Sequence, residues 1–146
     1  MKQGFTLLEL LIVLSMLAAM AAFVIVRFTG AQAAARDAAR QSDIRQYQNA
    51  IETYYNANNG TFPDGNPTVN PNTLCGSGRP LGNIPCTNDP VGTNPYQYST
   101  DAANTQYVLW ARLEKPNPIQ IFYVCSNGKS STTAYSGFSV SNGTCP

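Results

Sequence analysis

One acidic side chain interrupts the apolar opening of this chain. In MKQGFTLLELLIVLSMLAAMAAFVIVR, Glu9 stands between two leucine-rich runs, one helical turn after Phe5. A lone carboxylate in an apolar helix is costly and calls for a partner. At a helix start it would favour the positive terminus and reach the headgroup layer. The sharper chemistry needs a cut between Gly4 and Phe5. The new amine at Phe5 would lie one turn from Glu9, and an amine and a carboxylate in lipid each favour a partner. The same spacing lets Glu9 of one copy meet the amine of its neighbour, so that one polar pair fixes the axial register of an apolar helix bundle.

The other reactive side chains are four cysteines, Cys75, Cys86, Cys125 and Cys145, none of them in a C-x-x-C pair. Without such a pair, zinc or thioredoxin-like chemistry has little support. In an oxidising compartment two disulfides are expected, each contributing about 2–4 kcal/mol. Three pairings exist. Cys75–Cys86 with Cys125–Cys145 is favoured, because each closes a short segment with turn residues; four reduced cysteines are the alternative. The chain has no histidine, which removes the commonest acid–base residue near neutral pH. No spacing of Ser, Asp and Lys argues for a nucleophile and its base, and there is no phosphate-binding glycine loop. The expectation is a protein that is not an enzyme.

These residues must be positioned by a helix. From Phe5 to Val26 the chain is apolar apart from Glu9, and a bilayer core takes about 20 such residues. No small-x-small cleavage site with a turn ends the run, unlike a secretory signal. The Ala-rich stretch Ala31 to Ala39 continues the helical pattern and no proline occurs before Pro63. One helix is predicted from about residue 5 to about 58. Arg36, Asp37, Arg40, Asp43, Arg45 and Glu52 are expected to make one side of its second half wet. Ile44, Tyr47, Ile51, Tyr54 and Tyr55 form an apolar stripe that needs a partner. Asn58-Asn59-Gly60 and Pro63 should stop it.

Beyond it, Tyr96–Ser99, Gln106–Leu113, Ile119–Cys125 and Tyr135–Val140 read as strands, with turns at Lys115–Pro118 and Ser126–Gly128. The expected fold class is α+β, a long helix with a membrane half and an amphipathic half on a small antiparallel sheet. Leu109, Trp110, Phe122 and Phe138 are core candidates, and residues 64–95 read as a long loop. The expected divisions are a leader at 1–4, a membrane and assembly helix at 5–26, its amphipathic continuation at 27–60 and a small domain at 61–146. With a net charge of +1, nucleic acid is not expected as the main partner. Charges flank the apolar run on both sides and leave its orientation open; the cysteines argue that the C-terminal domain faces outward.

KQGFTLLELLIVL resembles the class III signal of type IV pilins and type II secretion pseudopilins. RDAARQSDIRQYQNAIETYYNANNGTFP and DPVGTNPYQY resemble, more loosely, the helix end and the lead into the sheet of pseudopilins, the major type above all. The resemblance implies cleavage between Gly4 and Phe5 by a prepilin peptidase, methylation of Phe5, and assembly roles for Thr6 and Glu9. It implies a filament subunit, of a secretion pseudopilus or a type IV pilus. Expected partners are copies of itself, minor pilins or pseudopilins, the peptidase and an inner-membrane assembly platform. The chain would sit in the bacterial inner membrane before assembly, and the filament in the periplasm or at the cell surface. No cofactor is expected. Because some major pseudopilins bind calcium, Asp89 and Asp101 are weak candidate ligands, with ordinary turn residues as the weightier reading. The competing class is a membrane-tethered binding module that does not polymerise.

Overall fold

The computed structural model describes residues 4–93, 95–140 and 143–146, without the side chains of 23–29. Helix α1 spans Leu7–Ala57. Contacts divide the chain into two compact units, Met1–Ala35 and Arg36–Pro146.

In the first unit the apolar side chains from Leu7 to Met20 are exposed, Leu7 at 89% and Leu11 at 66%. The one hydroxyl among them is satisfied locally, since Ser15 Oγ donates to Ile12 O at 2.8 Å. Among the described residues no helix is long and apolar enough to cross a membrane. The span expected at 5–26 runs into residues 23–29, whose side chains lie outside the described residues.

The second unit holds the core. Helix α1 ends where the local chemistry requires: Asn59 and Gly60 take φ of 55° and 77°, and Gly60 N–H donates to Tyr55 O at 3.1 Å. Four strands follow, β1 (Gln97–Thr100), β2 (Tyr107–Arg112), β3 (Gln120–Cys125) and β4 (Ser130–Ala134). They form one antiparallel sheet in the order β1-β2-β3-β4. This is an α+β, type IV pilin-like arrangement.

Alternation along the strands divides the side chains between two faces. Tyr98, Tyr107, Leu109, Ala111, Phe122 and Val124 share one cluster with Ile44, Tyr47 and Ile51 of α1. Each fully buried aliphatic there stabilises the unit by about 1.5–3 kcal/mol. Val108, Ile121, Tyr123 and Cys125 form a second cluster, joined by Trp110 and Phe138. Leu109 and Phe122 therefore take the expected core place against the helix, whereas Trp110 and Phe138 pack on the opposite side.

Buried tyrosines keep their hydroxyls paired. Tyr96 donates to Asp43 Oδ2 at 2.6 Å, Tyr98 to Pro63 O at 2.8 Å and Tyr107 to Glu52 Oε1 at 2.7 Å.

Two expectations need correction. The last strand is Ser130–Ala134, not Tyr135–Val140. A short turn after Cys125, closed by Cys125 N–H to Lys129 O at 2.9 Å, returns the chain at once. An edge strand whose side chains are mostly exposed needs no aromatic alternation. Second, the charged side of α1 is not simply wet: Asp37 is 5% exposed and Arg40 is fully buried. The 64–95 loop is also more built than its composition indicates. It contains a 3-10 turn at Pro71–Leu74 and buries Leu74, Cys75, Leu81 and Asp89.

Candidate functional site

The junction residues come together at the start of α1. Thr6 precedes the helix, and its Oγ accepts from Glu9 N–H at 3.2 Å. Glu9 Oε2 reaches back to accept from Thr6 N–H at 2.9 Å and from Thr6 Oγ at 2.8 Å. This reciprocal pairing is a capping box, satisfying backbone donors that the helix itself cannot. The T-x-x-E spacing carries that signal directly. Glu9 thus occupies the end-of-helix role, and it holds the amide one residue from Phe5. Phe5 is 87% exposed, and among the described residues a Cβ added at Gly4 would meet no atom within 4 Å beyond its chain neighbours.

A second constellation lies in the unit from Arg36 onward, and sequence reasoning missed it. Arg36 grips Glu114 through two bonds, Nε to Oε1 at 2.8 Å and Nη2 to Oε2 at 2.5 Å. Arg40 pairs with Asp89 at 2.5 Å, Asp37 at 2.7 Å and Glu114 at 2.8 Å. Asp37 also accepts the backbone N–H of Glu114 and of Lys115, each at 2.8 Å. Burial works against the Arg40 charge, but the bonds to Asp89, Glu114 and Asp37 more than offset it and raise its pKa. Hydrogen bonds from Arg36 lead in pushing Glu114 down to about 2. One arginine nitrogen, Arg40 Nη2, is buried without a partner among the described residues. The network joins α1 to the long loop and to the β2–β3 turn. A faint signal existed: Asp37 and Arg40 continue, at three- and four-residue spacing, the stripe of Ile44, Tyr47 and Ile51.

The weak calcium candidates are engaged elsewhere and are not brought together. Asp89 pairs with Arg40 and accepts from Val91 N–H at 3.1 Å. Asp101 closes its own turn, accepting from Thr105 N–H at 2.6 Å, Gln106 N–H at 3.0 Å and Thr105 Oγ at 2.6 Å. The Thr105 hydroxyl leads in lowering its pKa. Among the described residues no His, Cys, Asp and Glu side chains group to hold a metal ion.

Of the cysteines, Cys125 and Cys145 are joined by a disulfide. Cys75 is a buried free thiol and Cys86 an exposed one, so the second expected bridge is not formed in this structure.

No curated protein and no solved structure shows a significant match to the chain. Residues 1–25 match the family model of the prokaryotic N-terminal methylation motif. Gly4, Phe5, Thr6 and Glu9 all lie within that match. It supports a type IV pilin-like N-terminal segment, of the kind that prepilin peptidase processes.

Proposed function

We propose that the chain is a structural subunit of a type II secretion pseudopilus or a type IV pilus-like filament, cut between Gly4 and Phe5 and methylated at Phe5. The observation that carries this reading is the methylation motif at residues 1–25, which takes in the exposed apolar helical side chains from Leu7 to Met20. Apolar surface of that extent requires lipid or protein to cover it. The chain waits in the inner membrane with its C-terminal domain outside the cytoplasm. Copies of it then stack their N-terminal helices into a filament core, with minor pilins or pseudopilins and an inner-membrane platform as further partners. After the cut, Glu9 trades its capping partner, the Thr6 amide, for the Phe5 amine of a neighbouring copy. The looser likeness of residues 89–98 favours the major pseudopilin among these subunits.

The first experiment is the N-terminal mass of the protein recovered from its native membrane, with and without the prepilin peptidase. A chain starting at methylated Phe5 only where the peptidase is present is the expected result. A chain starting at Met1 in both samples would overturn the reading and leave a tethered, non-polymerising module in its place.

A further inference from the structure

The segment from Cys75 to Cys86 is a closed loop whose two ends are held by one buried tyrosine. Tyr47 Oη donates to Thr87 O at 2.8 Å and also contacts Asn72 Oδ1, while Asn72 Nδ2 pairs with Asn88 Oδ1. Inside the loop, Gly76 N–H donates to Gly82 O at 2.7 Å and Leu81 N–H to Leu74 O at 2.8 Å. The backbone therefore returns on itself before any covalent link is made. Its cysteines lie at the base. Cys75 Sγ donates to Pro71 O at 3.5 Å and Cys86 Sγ to Ile84 O at 3.7 Å, and Cys86 is near enough to act on the Cys75 thiol. The loop also forms one wall of an open groove of about 590 Å³, in which Leu81 and Ile84 face Ala50 and Tyr54 of α1.

We propose that Cys75 and Cys86 are a disulfide-forming pair, closed after export, and that Cys86 is the sulfur that reacts first. The inference rests on the reading that this domain leaves the cytoplasm for an oxidising compartment. The pair is asymmetric in the way such an order requires. Cys86 is exposed, whereas Cys75 is buried. Burial, and then the neighbouring Cys86, push the Cys75 thiol up to about 12, so it is a poor first nucleophile.

The oxidant is a disulfide, either of an oxidoreductase or of glutathione. The Cys86 thiolate attacks one of its sulfurs, forming a mixed disulfide and releasing the first thiol. Cys75 then loses its proton to water and attacks Cys86 Sγ, releasing the second thiol. Two electrons and two protons pass from the protein to the oxidant, and one S–S bond replaces another. The bond fixes the loop wall against the end of α1, where the tyrosine and the backbone bonds have already placed it.

The test uses the full-length chain in detergent, treated with oxidised glutathione, then alkylated and read by intact mass and peptide mapping. The native chain is expected to lose both alkylatable thiols at 75 and 86 and to yield a cross-linked peptide without glutathione. Cys75→Ser is expected to stop with one glutathione on Cys86, and Cys86→Ser to leave Cys75 unmodified over the same time. A native chain that keeps glutathione on Cys86 with Cys75 still alkylatable would overturn the pairing, as would two alkylatable thiols after treatment. Modification of Cys75 ahead of Cys86 would overturn the order. None of these readouts depends on filament growth, so failure here and failure of the filament reading are separable.

Discussion

Leu7 and Leu11 are exposed in the unit that runs to Ala35, whereas in the unit from Arg36 onward an arginine, Arg40, has no accessible surface. The usual distribution of residue types is inverted in both places, for different reasons. In the first unit the apolar side chains from Leu7 to Met20 are exposed among the described residues, and burying such surface elsewhere is favourable. In the second, three carboxylates surround the buried charge and satisfy most of its donors. Such a cluster contributes little net stability over an apolar filling of the same shape. What it provides is geometry, because each carboxylate comes from a different place: Asp37 from the helix, Asp89 from the long loop and Glu114 from the β2–β3 turn. One region keeps its surface for other molecules, and the other spends its charges on holding its own loops.

The sharpest way to break this contrast is Arg40→Ala. Removing the cation leaves the Asp37 and Asp89 carboxylates buried without their countercharge, at a cost of about 3–5 kcal/mol. Urea denaturation of the full chain in detergent, followed by the near-ultraviolet signal of the buried tyrosines, measures it. A midpoint equal to that of the native chain would show that the network holds nothing in place.

A second comparison sets one apolar truncation in each unit side by side. Ile51 is fully buried, so Ile51→Ala is expected to cost about 2–5 kcal/mol through lost contacts and a cavity. Leu11→Ala, at an exposed position, is expected to stay within about 0.5 kcal/mol in the same unfolding experiment. Equal losses would mean that the two units do not differ in the way their exposure indicates.

The smallest expected effect concerns acid. Glu114 ordinarily titrates at 4.5 and is pushed down to about 2 in the folded chain, chiefly by its bonds from Arg36. A depressed folded pKa adds stability that is fully present above the unfolded value and is lost as pH falls toward the folded one. The urea midpoint should therefore fall between about pH 5 and pH 2, and Glu114→Gln should flatten part of that fall. An identical acid limb in the variant would place the titrating group elsewhere.

The features legible in the sequence are those set within one or two turns of chain. The T-x-x-E spacing at Thr6 and Glu9 builds its own cap, because donor and acceptor are three residues apart. The stop of α1 needs only Asn59 and Gly60, which tolerate positive φ. The β1, β2 and β3 segments follow from alternating aromatic and β-branched side chains, within a residue or two of their bounds. The Gly4–Phe5 junction and the apolar run after it are likewise local, and they identify the N-terminal motif without any fold.

Tertiary structure decided what depends on distant partners. Arg40 reads as a wet residue on its own helix; it is buried because Asp89 lies 49 residues away in the chain and yet pairs with it. Asp37 is held by backbone amides of the β2–β3 turn, 77 and 78 residues on. The last strand falls on Ser130–Ala134 because the hairpin after Cys125 sets its register, while the more apolar Tyr135–Val140 is left to cover the far face of the sheet with Phe138. Composition shows which side chains favour burial. Only the folded chain shows which charges have enough partners to accept it, since that balance sums groups that local spacing never brings together.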